Sequence, residues 1–245
     1  MTVRRMLGFA AFLLLWEAVC RAGLIGAIIL APPSAIAAAL WNSGREFLGA
    51  FWVSLGEMGA AIAIAWPLGL LAGLALGSRP YWAGVFGPVF AAFFAIPLIT
   101  WYPLLMIWVG IGSSSKIFYA VISGFFPIAL STLNSVRQID RHYLRFGASI
   151  GCSPARVLFQ ILLPMALPAI VAGLRVGTAL IVIGVIVTEM LSSLGGLGFW
   201  ISYHRTLYET GDVYLGILLS LACVLIVNLG LRRLEARFGA WRETG

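Results

Sequence analysis

Charged side chains are scarce in this 245-residue chain: Asp, Glu, Lys and Arg make up 10%, against 61% hydrophobic residues and a mean hydropathy of +1.01. Soluble domains carry about a quarter charged residues, so the composition excludes a soluble globular protein and points to an integral membrane protein. Histidine is reduced to His142 and His204, and neither His-Glu-x-x-His nor Gly-x-Ser-x-Gly is present, which removes the residue sets of a metalloprotease or a serine hydrolase. There is no Gly-x-x-x-x-Gly-Lys-Ser/Thr either. The run Gly110-Ile-Gly-Ser-Ser-Ser-Lys116 is a superficial likeness, because Ser115 stands where the second glycine must be, so this chain is not expected to hydrolyse ATP. Cys20, Cys152 and Cys223 are scattered, match no metal or redox spacing and read as small apolar fillers. No repeat of fixed period, no low-complexity linker and no hydrophilic stretch long enough for a separate soluble domain interrupts the chain. A single membrane domain over residues 1–245, without catalytic residues, metal ligands or a cofactor of its own, is therefore expected.

Apolar runs bounded by charge, Gly and Pro fall near Met6–Val19, Phe51–Leu76, Ala83–Gly110, Ile117–Leu133, Leu167–Leu191 and Val213–Leu231. At about 20 residues per spanning helix this predicts an all-α protein with about six transmembrane helices. The first run is short, and part of Gly23–Leu30 is a candidate to complete it. Its basic start and apolar core also resemble a signal peptide, but Glu17 and Arg21 follow without a small-residue cleavage site, which favours a retained first helix.

The formal charge of +7 comes from basic residues placed as a cytoplasmic membrane face would place them, not as a nucleic-acid surface. With the N-terminus inside, Arg4, Arg5, Arg79, Arg137, Arg141, Arg145, Arg156, Arg232, Arg233, Arg237 and Arg242 are cytoplasmic, and only Arg21, Arg45, Lys116 and Arg205 are outside. The expectation is a multi-pass inner-membrane protein with both termini cytoplasmic, and a cytoplasmic loop at about 136–165.

Within the spans, Gly69, Gly73 and Gly77, and again Gly173 and Gly177, recur at the spacing that lets helix backbones approach. Glu57, Arg175 and Glu189 are ionisable and costly in lipid, so each is a candidate functional position. Glu57 and Glu189 alternatively reach the outer interface, and Arg175 alternatively snorkels to the cytoplasmic one. Pro97 and Pro103 flank Trp101 and Tyr102 and predict a broken helix beside a translocation pathway, to which Thr188 and Glu189 are also assigned; Trp108 reads as an interface anchor. Gly195-Gly-Leu-Gly198 follows no strand and reads as an outer turn, not a phosphate cradle.

The loop carries the densest punctuation. Asp140 is placed to cap a short helix through Ile150, and Gly151 to end it in the left-handed conformation. Ser153 is placed as the next N-cap, with Pro154 at the first helical position. Val157, Leu158, Ile161 and Leu162 then share one face, Arg156 and Gln160 point elsewhere, Pro164 is expected to end this helix, and Pro168 to start the next span. Two readings of such a segment stand on its residues alone: an amphipathic loop on the membrane surface, or a rigid knuckle that docks a partner.

The segment resembles the signature loop of ABC importer permeases, in which Glu-Ala-Ala is followed by a glycine four residues after its second alanine and later by a Leu-Pro end. Gly151 and Leu163-Pro164 match, whereas Arg145-Phe146-Gly147 replaces Glu-Ala-Ala. Ala31-Pro-Pro-Ser, Ile96 to Gly112, Phe125-Phe-Pro127, Gly173-Leu-Arg175 and Glu189-Met-Leu with Gly195 to Gly198 resemble permeases of the nitrate, sulfonate and taurine subfamily. The resemblance implies one of two identical membrane subunits, two cytoplasmic ATP-binding subunits holding ATP and Mg2+, and a periplasmic or lipid-anchored solute-binding protein. It also implies that Arg145, Gly151, Ser153, Pro154, Ala155, Arg156, Phe159, Leu163 and Pro164 form the ATPase-coupling element. The solutes it permits are small anions such as nitrate, bicarbonate, sulfonates, taurine or aromatic acids, or a pyrimidine precursor. The rival classes are a secondary transporter or channel, which the sparse intramembrane charge supports little, and a membrane enzyme.

Overall fold

A computed structural model describes residues 2–140, 142–143, 147, 149 and 151–239. The described residues are helical, with no strand among them. The helices are α1 (Thr2–Arg21), α2 (Pro33–Gly77), α3 (Pro80–Ala95), α4 (Tyr102–Val109), α5 (Ser113–Arg137), α6 (Pro154–Val157), α7 (Leu163–Ser192), α8 (Leu197–Thr206) and α9 (Thr210–Gly239). A 3-10 turn, Leu98–Trp101, precedes α4, and a π-helical turn, Leu158–Leu162, joins α6 to α7.

Among the described residues, four helices are long and apolar enough to cross a membrane: Pro33–Gly77, Ser113–Arg137, Gln160–Ser192 and Thr210–Arg233. The pair Pro80–Ala95 and Leu98–Val109, bent by 78°, makes a fifth if it is one span. The sixth expected helix, α1, forms but carries Arg4, Arg5, Glu17 and Arg21 within its twenty residues, and lacks the charge-poor stretch of the others. Nor does the segment 23–30 extend it, since α1 stops at Arg21 and turns follow from Ala22. In contrast, α2 is longer than the expected span, because Pro33 opens a helix that runs through forty-five residues, about twice what a bilayer core requires.

The chain divides into two compact units, neither a continuous stretch. One runs up to Gly56 and includes Ile186–Ala222; the other is Glu57–Val185 with the chain from Cys223 onward. In the first unit, Ile36, Ala39 and Phe47 of α2 pack with Leu197 and Trp200 of α8 and Leu215 of α9, flanked by Trp16. The start of α2 is held by Glu17, which accepts hydrogen bonds from the Ser34 backbone N–H at 3.0 Å and the Ser34 hydroxyl at 2.6 Å.

In the second unit, α5 lies between two glycine-faced helices. A Cβ added at Gly73 would sit 2.5 Å from Thr132 Cβ and 2.7 Å from the Ala129 carbonyl; at Gly77, 2.9 Å from the Leu133 carbonyl; at Gly173, 2.5 Å from Ser131 Cβ. The glycines of α2 and α7 therefore meet two neighbouring faces of α5, with Ile128 touched from both, at close-packing distance as their spacing predicts. Gly124 of α5 adds a close approach to Gly177 that the spacing did not single out. Phe90 of α3 packs edge-on to Phe125 and Phe126, and Ile170, Val171 and Leu174 of α7 pack with Val136 of α5 and Leu231 of α9.

Candidate functional site

The loop after α5 contains three helix termini built by the residues predicted to build them. The Asp140 carboxylate accepts the His142 backbone N–H at 2.8 Å. Gly151 has φ +76°, and the Cys152 N–H donates to the Gly147 carbonyl at 3.0 Å, the closing bond of a Schellman turn. An added Cβ at Gly151 would meet nothing within 4 Å, so the glycine is required by the backbone and not by space. The Ser153 hydroxyl then accepts the Arg156 N–H at 3.3 Å, and Pro154 opens α6.

The next expectation is corrected. Pro164 does not end the helix, and Pro168 does not start a new one; both lie in α7, which follows the π turn without a break. A proline ring collides with the carbonyl four residues back in a regular helix, and the wider π turn over Leu158–Leu162 displaces that carbonyl. Leu162 and Leu163 at this junction pack against Val136 and Ile139, at the end of α5. Gly147, where the resemblance places the second alanine, would bring a Cβ to 2.9 Å from Ile161 Cδ1 and 3.2 Å from Val157 Cγ2. The departure from alanine thus coincides with a tight crossing of the two arms. Arg145 lies outside the described residues, and for Pro154, Ala155 and Phe159 only the helical backbone is described.

A second cluster lies in the first unit. Glu189 is 1% exposed, and its carboxylate accepts the Ser54 hydroxyl at 2.6 Å and the Gly198 N–H at 2.7 Å. Ser54 in turn accepts the Leu197 N–H at 2.7 Å. The glycine run has a physical role here: Gly196 at φ +99° opens α8, and a Cβ on it would overlap the Glu189 carboxylate, while one on Gly198 would overlap the Ile186 carbonyl. Two N–H groups of the helix start, which have no partner within the helix, are taken up by Ser54 and the Glu189 carboxylate. The outer-interface alternative for Glu189 is therefore corrected, since burial and these donors hold it inward. Thr188 is fully buried beside it. Ser54 was missed by sequence reasoning, because a lone serine in an apolar run gives no signal.

Pro97, Trp101, Tyr102 and Pro103 form the broken helix predicted for them. Ile96, ahead of Pro97, is extended (φ −71°, ψ 134°), which stops α3. Tyr102 is buried edge-on to Tyr119 with ring centroids 5.6 Å apart, whereas Trp101 and Trp108 are exposed. Glu57 and Lys116 are both buried, which corrects the interface alternative for Glu57. They form a buried ion pair, Nζ to Oε1 2.5 Å, between α5 and α2, because two opposite charges desolvate more cheaply together than apart. The structure thus brings Thr188 and Glu189 together with Ser54 in one unit, and Pro97 to Pro103 with Tyr119 in the other.

The identity of this helical framework follows from comparison. Residues 65–240 match the family described as binding-protein-dependent transport system inner membrane component. The chain belongs to that family. Among its relatives is the taurine transport system permease protein TauC of Escherichia coli (strain K12), 31% identical, with 95% of this chain and 87% of that protein covered. The bicarbonate transport system permease protein CmpB of Synechocystis sp. is 28% identical over 93% and 85%, and the putative aliphatic sulfonates permease SsuC of Bacillus subtilis (strain 168) 25% identical over 96% and 86%. The solved MetNI methionine ABC transporter, in an inward-facing conformation, contains a chain of the same fold: TM-score 0.63, 19% identity, covering 82% of this chain and 97% of that one. The protein is thus a multi-pass inner-membrane permease component, a transporter part and not an enzyme.

Proposed function

We propose that this permease moves a small anionic solute inward as one of two identical membrane subunits, driven by a separate pair of ATP-binding subunits docked on the 136–165 loop. The observation that carries this reading is the knuckle itself: a Schellman end at Gly151, a capped restart at Ser153, and helix that continues through the π turn into α7. A docking element needs a fixed shape and a stiff link to what it moves, and this one has both. ATP and Mg2+ are held by the partner, whose closure pushes the knuckle and re-orients the spanning helices. Outside, a periplasmic or lipid-anchored solute-binding protein delivers the solute. The taurine, bicarbonate and sulfonate named for the relatives share a compact anionic group, which supports an anion of that size as cargo. Both termini and the 136–165 loop face the cytoplasm in this reading, in accord with the arginine asymmetry.

The test is uptake by purified permease in liposomes. With the chain alone, no concentrative uptake of taurine, bicarbonate or an alkanesulfonate is expected under any ion gradient; adding the cognate ATPase, the binding protein and ATP should produce it for one of them. Accumulation driven by an ion gradient alone would establish a secondary transporter instead.

A further inference from the structure

The chain leaves α8 through a second Schellman turn, and this one lacks glycine. Tyr208 takes the left-handed position at φ 60°, the Glu209 N–H donates to the His204 carbonyl at 3.0 Å, and the Tyr208 N–H donates to the Arg205 carbonyl at 3.2 Å. In this motif the residue three from the helix end and the residue just past the turn meet side by side, normally as an apolar contact. Here they are His204 and Glu209, with Nδ1 and Oε2 2.5 Å apart. Asp212, in the first turn of α9, completes the group: one ligand atom from each of the three residues lies within 4.8 Å of the others.

A simple ion pair explains His204 and Glu209 but not Asp212. Its Oδ1 is sealed from solvent and finds no hydrogen-bond donor among the described residues, although a buried carboxylate oxygen ordinarily has one. A positive charge between the three residues would satisfy it. The imidazole also lies against Trp200, with ring centroids 4.0 Å apart and the planes tilted by 40°, and the Trp200 indole N–H donates to the Asp212 backbone carbonyl at 3.1 Å. One aromatic side chain thus contacts the His204 ring and the Asp212 main chain.

We infer that His204, Glu209 and Asp212 form a binding site for a divalent transition-metal ion of the zinc class. One imidazole nitrogen and two carboxylate oxygens suit such an ion, and a fourth position remains for water. Tetrahedral ligands at about 2.1 Å from an ion lie about 3.4 Å from one another, so the His204–Glu209 contact would open by about 0.9 Å, which the exposed Glu209 side chain can supply, and any wider gap to Asp212 would narrow by at most about 1.4 Å. The ion would staple the end of α8 to the start of α9. This site is independent of the transport reading.

The experiment uses the purified full-length chain in detergent, with an affinity tag free of histidine, titrated with Zn2+ and separately with Co2+. One ion per chain is expected, with visible Co2+ absorption bands of a four-coordinate nitrogen and oxygen site. H204Q and D212N should each weaken binding by at least tenfold, and melting curves in EDTA show whether they fold. E209Q alters an exposed carboxylate, leaves the buried groups in place, and should also weaken binding. No stoichiometric binding by the unaltered chain, or unchanged binding in any folded variant of the three, overturns the site.

Discussion

Gly151→Val separates backbone conformation from every other demand at its position. An added Cβ meets no atom within 4 Å, so the first carbon of a side chain has room there. What remains is φ +76°, a left-handed backbone that costs a non-glycine residue about 1–2 kcal/mol, and a β-branched one more. About 2 kcal/mol corresponds to a factor of about 30 in an equilibrium. That is small against the stability of a membrane bundle but large for the population of one knuckle geometry, in which the Cys152 N–H must still reach the Gly147 carbonyl. Gly151→Asn supplies the control, because asparagine tolerates the left-handed region. Membrane abundance, co-purification of the ATPase and solute-stimulated ATP hydrolysis should be measured for both. The valine variant should insert normally and lose most of its coupling, and the asparagine variant should keep it. Full coupled transport by Gly151→Val at normal abundance would refute the reasoning and return the loop to the status of a linker.

Gly73→Ala should lower the melting temperature by an amount equivalent to about 1–3 kcal/mol, since its Cβ would press on Thr132 and the Ala129 carbonyl, whereas Gly44→Ala, with nothing within 4 Å, should hold or raise it. Breaking the buried pair with Lys116→Met or Glu57→Gln alone should cost about 3–5 kcal/mol in thermal unfolding, and the double variant with methionine at both positions should recover most of it. Ser54→Ala removes a donor to Glu189 and the acceptor of the Leu197 N–H, and should destabilise by about 1–3 kcal/mol without changing membrane insertion, read as melting temperature against abundance. For topology, Ser114→Cys in a cysteine-free background should react with an impermeant thiol reagent outside intact cells, and Arg137→Cys should not; the reverse pattern would invert the orientation.

Features set by local chemistry were legible from sequence. The caps at Asp140 and Ser153, the left-handed Gly151, the break at Ile96-Pro97 and the glycine faces on α2 and α7 each follow from one residue type and its backbone rule. What depended on partners distant in sequence was not legible. Glu57 and Lys116 are separated by the rest of α2 and the whole of α3 and α4, so each looked like an interface charge until its partner was seen. Ser54 and Glu189 meet across 135 positions, and only that meeting explains why Gly196 and Gly198 must lack side chains. The π turn was hidden for another reason: Pro164 normally reads as a stop, and a wider turn just before it removes the clash that makes it one.

The two glycine faces on α5 also constrain how the second unit can change shape. With backbone set against backbone on both faces, α5 is keyed like a shaft in a slot. Rolling it about its axis would drive Ile128, Thr132 or Ser131 into a neighbouring helix. Close packing at these glycines therefore favours movement of these segments of α2, α5 and α7 as one block. Bending is left to the joint at Ile96-Pro97, a 78° turn where Ile96 is extended and Pro97 has no N–H to close a helical turn.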